Sequence, residues 1–392
     1  MKKMTLRTIP AILLAVFSGA ASAAAFQLWE QNASGLGNAY AGSAAVADNA
    51  STIFFNPAGM TQLQGVQLSV GVAGVRPSYT FRNNATTGAT GGDGGDAGSW
   101  AAVPNAFASW GLTRDLSVGI GISAPFGLAT NYDSAWIGRN QTIKSEIKTV
   151  NVNPSVAYRI NDKVSLGFGV NYQTIDAELT NAASRLKGDD SAWGWNAGAM
   201  FTVSPAMRVG VSYRSSMKYT LEGTANGTTP IRADVKLPDT FILSVWQQVS
   251  DRWEAMGDLS YTRWNTLKSL NVLSSANGAL LSAETFNYDN SWRLAWGAAY
   301  KATDAVKVKF GIAYDRTPVS DAERTARVPD NDRLWLSLGG QWSAGRYGKV
   351  DLGYSYLYVK DASINHNQNG TLLRGEYDAG AHIVGLQYST GF

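Results

Sequence analysis

The side chains that could make or break covalent bonds are few in this chain, and their spacing fits no catalytic or metal site. Cysteine is absent, which removes thiol catalysis, disulfides and lipid attachment at a lipobox. The two histidines are His366, in a predicted loop, and His382, at a strand position whose parity points to lipid. Neither a metal pair nor a Ser–His hydrolase finds support there. Gly35-x-Gly37 lacks the remaining spacing and the strand–helix context of a dinucleotide loop. A net charge of +3 gives no support to nucleic-acid binding. What is left is the chemistry of recognition. Asp176, Glu178, Glu284 and Asp289 lie near the outer ends of predicted strands five and ten, with Arg185, Lys187, Arg293 and Arg333 as possible basic partners.

The elements that must position these groups are strands. In the last strand Phe392, Thr390, Tyr388, Leu386 and Val384 alternate with the small or polar Gly391, Ser389, Gln387 and Gly385. Side chains on a strand point to opposite faces with period two, so such a strand faces lipid on one side and a lumen on the other. Val164, Leu166, Phe168, Val170 and Tyr172 repeat the pattern, as do Val306 to Tyr314 and Val350 to Tyr358 in steps of two. Fourteen strand candidates follow residue 64. A soluble sandwich would alternate too, with its apolar face turned inward. Thirteen tryptophans and seventeen tyrosines argue for interfacial girdles instead.

The N-terminus agrees with a membrane destination. Lys2, Lys3 and Arg7 precede a short apolar run, then Ala21-Ser22-Ala23, which predicts a signal peptide over residues 1–23. That run is too short to span a bilayer, which needs about 20 apolar residues. Turns near residues 113–115, 161–163, 204–206, 250–252 and 303–304 are short, and the connections at 82–99, 125–141, 178–191, 268–286, 318–331 and 361–371 are long. Short periplasmic turns and long external loops are the expected asymmetry of an outer-membrane barrel over residues 65–392. The Gly-rich piece 87–99 reads as a mobile external loop. Residues 24–64 break the alternation. Because the inward barrel positions are rich in Gly, Ser and Ala, this segment is expected to plug the lumen; a disordered periplasmic tail is the alternative.

Several segments resemble one family. Phe26 to Glu30, Gly35 to Gly42, Ala47 to Thr52, Asn56-Pro57-Ala58-Gly59-Met60, Pro104 to Phe107, Gly121 to Thr130, Leu237-Pro238-Asp239 and Val328 to Ser337 together resemble the FadL/TodX outer-membrane transporters of hydrophobic compounds. The resemblance runs in order over the mature chain. It implies an all-β, 14-stranded antiparallel transmembrane barrel, monomeric, plugged by an N-terminal hatch, with no enzymatic activity and no cofactor. It also implies passive uptake of long-chain fatty acids or of aromatic and other hydrocarbons, with lateral release into the membrane at a kinked third strand. Implied partners are the ligand, outer-membrane lipid and lipopolysaccharide, and the barrel assembly machinery through Phe392.

The resemblance also assigns sites. Ala24, Ala25 and Phe26 match the N-terminal positions that contribute to a lumenal ligand pocket. Asn56, Pro57 and Ala58 match a hatch element beside the kinked strand, and Ser123, Ala124, Pro125, Phe126 and Gly127 match the gate. A break at Pro125 has its own physical sense, because proline lacks the N–H that would complete a ladder bond. A buried carboxylate is costly unless paired. If Asp176, Glu178, Glu284 and Asp289 face the lumen, they should repel a fatty carboxylate and favour neutral hydrocarbons or esters. A general porin and a surface adhesin or receptor are the readings from other classes.

Overall fold

Strands alternating apolar and polar residues cannot leave an edge inside a bilayer, where unpaired backbone groups find no water. Here they close into a 14-stranded antiparallel barrel. A computed structural model describes residues 25–392; the expected signal peptide and Ala24 lie outside the described residues. In chain order the strands are β1 (Val66–Asn83), β2 (Ala101–Gly111), β3 (Leu116–Ser123, resuming as Gly127–Asn131), β4 (Lys144–Asn161), β5 (Val164–Thr180) and β6 (Arg185–Ser204). They continue as β7 (Met207–Arg214 and Met217–Ala225), β8 (Thr229–Leu237 and Thr240–Gln248), β9 (Trp253–Thr262 and Ser269–Ser274) and β10 (Leu280–Thr285 and Ser291–Lys301). β11 (Val306–Asp315), β12 (Arg333–Ser343), β13 (Lys349–Val359 and Ala362–Gln368) and β14 (Thr371–Gly391) complete the wall. β14 pairs with β1 from Gln67↔Gly391 to Asn83↔Gly375, which closes the ring.

Parity divides the faces as the sequence pattern predicts. On β5, Leu166, Phe168 and Val170 are exposed, whereas Ser165, Asn171 and Gln173 are buried. On β14, Val384, Leu386 and Tyr388 are exposed, and Gln387 is buried.

Three expected loops are instead strand. Residues 178–191, 268–286 and 361–371 are mostly extensions of β5/β6, β9/β10 and β13/β14 joined by tight turns. Beyond the lipid layer the outward face no longer needs apolar residues, so the alternation fades while backbone pairing persists. His366 accordingly lies on a strand, beside Gln141. The Gly-rich segment 87–99 is not free either. Ala97 N donates to Tyr79 O at 3.0 Å, Asp133 N to Gly94 O at 3.0 Å, and Ile137 N to Gly92 O at 2.8 Å. This strap covers the stacked rings of Tyr132 and Trp136, 4.0 Å apart, in an apolar cluster under the external loops.

Residues preceding β1 fill the lumen as short helical turns, Leu36–Asn38, Thr52–Phe55 and Pro57–Gln62. The small inward residues of the wall let this backbone come close. A Cβ on Gly210 would lie 1.9 Å from Ala44 O, and one on Gly311 would lie 2.1 Å from Asn38 C. Polar anchors reinforce the fit. Lys309 Nζ donates to Ser34 O at 2.8 Å and pairs with Asp351 at 2.7 Å, both side chains being buried. Asp258 Oδ2 accepts from Ser43 N and Oγ, and Arg293 donates to Ala39 O at 2.7 Å while lying over the rings of Trp29 and Trp335.

Candidate functional site

The third strand breaks at Ala124-Pro125-Phe126. Its ladder with β2 runs from Gly111↔Ser117 only to Ala106↔Ile122, although β2 continues to Ala101 against β1. On the other side β3 keeps β4, skipping from Ser123↔Asn151 to Gly127↔Lys148. The chain between these pairs is turned inward, and the N-terminal segment replaces the lost partner. Leu28 N donates to Pro125 O at 2.8 Å, Gly127 N donates to Phe26 O at 2.9 Å, and Gln31 Nε2 donates to Ala124 O at 2.8 Å. Thr149 closes the other face, its hydroxyl accepting from Phe126 N at 3.0 Å and donating to Phe126 O at 2.7 Å.

The break therefore leaves the backbone of β2 at Ala101–Asn105 without a ladder to β3. Pro104 lies in that free stretch, where a residue without an N–H is tolerated. Pro154 of β4, opposite Ile120 of β3, sits where the β4–β5 register omits two residues. Pro104 and Pro125 thus lie at about one level of the wall, whereas the register of β3 puts Pro154 level with Ala108, further from the break. Of the three, Pro125 alone is expected from the sequence to break its strand; Pro104 enters there only within a segment of family resemblance, and Pro154 stands inside a strand pattern. Ser123 and Asn105, both inward and buried, have side-chain polar atoms with no protein hydrogen-bond partner.

Above the break, towards the external side, an apolar cluster surrounds the first described residues. Phe26 packs its ring 4.8 Å from Trp264 and 6.2 Å from Phe126, and Leu128, Ile175, Met217 and Leu237 complete the surroundings. Ala25 N donates to Asp330 Oδ2 at 2.8 Å, tying the segment to the connection between β11 and β12. Gln27 bonds Thr240 and Thr262 on β8 and β9. Next to it Glu30 is wholly buried, and burial raises its carboxyl to about 7 against the pull of Arg333 and Arg293.

Asn56, Pro57 and Ala58 dock elsewhere on the wall. Asn56 Nδ2 donates to Ala44 O at 2.8 Å and to Ala199 O on β6 at 3.0 Å, its Oδ1 accepts from Ala58 N, and Pro57 opens the following turn. Gly198 and Gly167 make room for Asn56 and Ala58. These three residues fasten the hatch to β5 and β6. The same unit meets β3 below the break through Met60 O, which accepts from Ser117 Oγ.

The acidic residues do not face the lumen as a repulsive set. Asp176 and Glu178 share the outward face of β5 with Leu166 and Phe168, among Lys144, Glu146, Lys148, Arg185 and Lys187. Glu284 is inward but pairs with Arg327 at 2.7 Å, and Asp289 is exposed. The expected repulsion of a carboxylate is therefore absent from the lumen wall at these positions. Parity counted from Leu166 would have revealed the orientation of Asp176 and Glu178.

The family model of outer membrane protein transport proteins (OMPP1/FadL/TodX) matches residues 14–392. The chain belongs to this family. It is 32% identical over 398 residues to a 47 kDa outer membrane protein of Pasteurella multocida, covering 90% of this chain and 92% of the relative. It is 26% identical to the long-chain fatty acid transport protein of Escherichia coli K12, covering 100% of this chain and 99% of the relative. A crystal structure of a Pseudomonas aeruginosa FadL homologue superposes with a TM-score of 0.89 at 24% identity, over 94% of this chain and 100% of that one. The protein is an outer-membrane β-barrel transporter of hydrophobic compounds from a Gram-negative bacterium, a non-enzymatic channel.

Proposed function

We propose that the barrel takes up hydrophobic small molecules passively, with long-chain fatty acids as the default substrate, and releases them sideways into the outer membrane between β2 and β3. The observation that carries this reading is the ladder that stops at Ala106↔Ile122 while both strands continue. The apolar cluster around Phe26 and Phe126 adjoins that break, so a ligand held there has a short path to the wall.

The opposite exit is unattractive on two counts. An alkyl chain gains about 0.8 kcal/mol per CH₂ on leaving water, and an axial route would give that up at the periplasm. The axial route is also filled by the hatch, with buried contacts such as Lys309–Asp351 at 2.7 Å. Neutral aromatic or aliphatic hydrocarbons are the second reading, since the lining of the cluster is apolar.

The absence of native cysteine permits a clean test. Asn105→Cys with Ser123→Cys places thiols just beyond the last β2–β3 pair. The oxidised double variant should assemble normally yet lose fatty-acid uptake, and reduction should restore it. Full uptake with the crosslink quantitatively formed would reject lateral release.

A further inference from the structure

Both β7 and β8 are interrupted at one level of the wall. Their ladder holds from Gln247↔Met207 to Thr240↔Arg214, lapses over Ser215-Ser216 and Pro238-Asp239, and resumes at Leu237↔Met217. The lapse shifts the parity of each strand by one. Thr240 and Leu237 are both buried on the inner side although three positions apart. Arg214, which donates to Phe54 O of the hatch, likewise shares the inner face with Met217 of the apolar cluster. A bulge of this kind re-aims the side chains that follow it. Counted straight through from the lipid-facing Phe241, Lys236 would point into the lumen, and Lys218 would do so counted from Tyr213. The paired bulges turn both lysines outward instead, just beyond the apolar band marked by Phe241 and Leu243.

What they meet there is each other. On the outward face the upper segments pair Glu222 with Arg232, Thr220 with Asp234 and Lys218 with Lys236. The first pair is of opposite charge, and in the second Thr220 Oγ1 donates to Asp234 Oδ1 at 2.8 Å. The third sets two ammonium groups directly opposite, which destabilises a ladder. Neither lysine has an ion-pair partner among the described residues. The nearby carboxylates are engaged elsewhere: Asp239 takes Arg263 at 2.8 Å and the Tyr213 hydroxyl at 2.9 Å, and Asp190 accepts from Thr220 N at 2.7 Å. Beside the lysines stands an aromatic shelf on the same outer surface, where the rings of Trp195 and Tyr213 lie 5.2 Å apart and Trp193 is exposed. Such rings sit at the headgroup level of a membrane.

We propose that Lys218 and Lys236 form a docking site on the outside of the barrel for the glucosamine phosphate of lipid A, the phosphorylated lipid of the outer leaflet. A phosphate monoester supplies the negative charge that the lysine pair lacks. Each ammonium donates to a different phosphate oxygen, and two cations sharing one anion turn the like-charge penalty into attraction. The exposed rings of Trp193 and Trp195 meet the acyl chains where they leave the headgroup. The inner side of the same interruption carries Met217 and Leu237 of the apolar cluster, so a lipid held outside braces the wall where two strands have lost ladder bonds. The site lies outside the lumen and does not depend on the route of the transported compound.

The test is native mass spectrometry of the full mature barrel in detergent with added diphosphoryl lipid A, dephosphorylated lipid A or phosphatidylglycerol. The barrel should retain one diphosphoryl lipid A in preference to the other two. Lys218→Gln should weaken that retention about fivefold, the worth of one lysine at an anionic headgroup. Lys236→Glu should weaken it about 25-fold, because it replaces an attraction by a repulsion. Lys236→Glu also gives Lys218 an opposite charge across the ladder, so this variant should assemble and be no less heat-stable than the native barrel when lipid is absent. Lys144→Gln is the control, since Lys144 already pairs with Glu146 and Glu178, and it should leave retention unchanged. No retention of lipid A by the native barrel, equal retention by Lys236→Glu, or an equal loss in Lys144→Gln overturns the site. Lysine-dependent retention of phosphatidylglycerol as tight as that of lipid A overturns lipid A as its occupant.

Discussion

Gly311 and Gly210 offer the sharpest test of how the hatch is held. Alanine at Gly311 would place a methyl 2.1 Å from Asn38 C and 2.4 Å from Ala39 N, and alanine at Gly210 would place one 1.9 Å from Ala44 O. These neighbours are backbone and cannot swing aside, so the hatch must shift. Overpacking of this kind costs about 1–3 kcal/mol, which at RT of about 0.6 kcal/mol moves the docked–undocked balance about 5- to 150-fold. The barrel itself should be spared, because β11 keeps its ladders to β10 and β12 whatever the lumen holds. Hydrogen exchange reads the shift directly. In Gly311→Ala the amides of Ala39 and Tyr40, bonded within the hatch, should exchange faster by that factor while strand amides keep their protection. Gly340→Ala is the control, since the nearest atom to its methyl is Lys307 O at 3.9 Å. Unaltered hatch exchange in Gly311→Ala, or equal acceleration in the strands, would refute the idea that wall glycines set hatch docking.

Two further outcomes follow from the same geometry. Phe26→Ala removes a ring packed 4.8 Å from Trp264, and should weaken ligand binding by more than tenfold, about the 1.5–3 kcal/mol of a buried aromatic side chain, with assembly judged by heat-modifiable gel mobility unchanged. Glu30, raised by burial from 4.5 to about 7, takes up a proton in the docked hatch more readily than in an exposed one. The docked state binds more protons between those values, so its stability is full below pH 4.5 and declines as pH rises through 7, by about 3 kcal/mol at most. Glu30→Gln should flatten that slope in hatch hydrogen exchange; an unchanged slope would mean another group titrates.

Much of the barrel was legible because its requirements are periodic. Leu166, Phe168 and Val170 must meet lipid, and alternation records that obligation residue by residue. The same signal fails at Ser269–Ser274 and Leu280–Thr285, where strands stand in water and the outward side chains are free to vary. The break at Pro125 was readable from proline chemistry, whereas its inward partner, the backbone of Phe26 and Leu28, is a contact between distant segments that no local pattern encodes.

The central claim is that ligand leaves through the wall, and the most direct measurement is where a ligand is caught on its way out. A fatty acid with a photoreactive group at its tail, irradiated during uptake into outer-membrane vesicles, should label the free edge of β2 at Ala102 and Pro104 and the facing Ala124, positions flanking the break. Labelling confined to Ser43, Asp48 and Lys307, which line the periplasmic side of the hatch, would contradict lateral release and place the exit along the barrel axis.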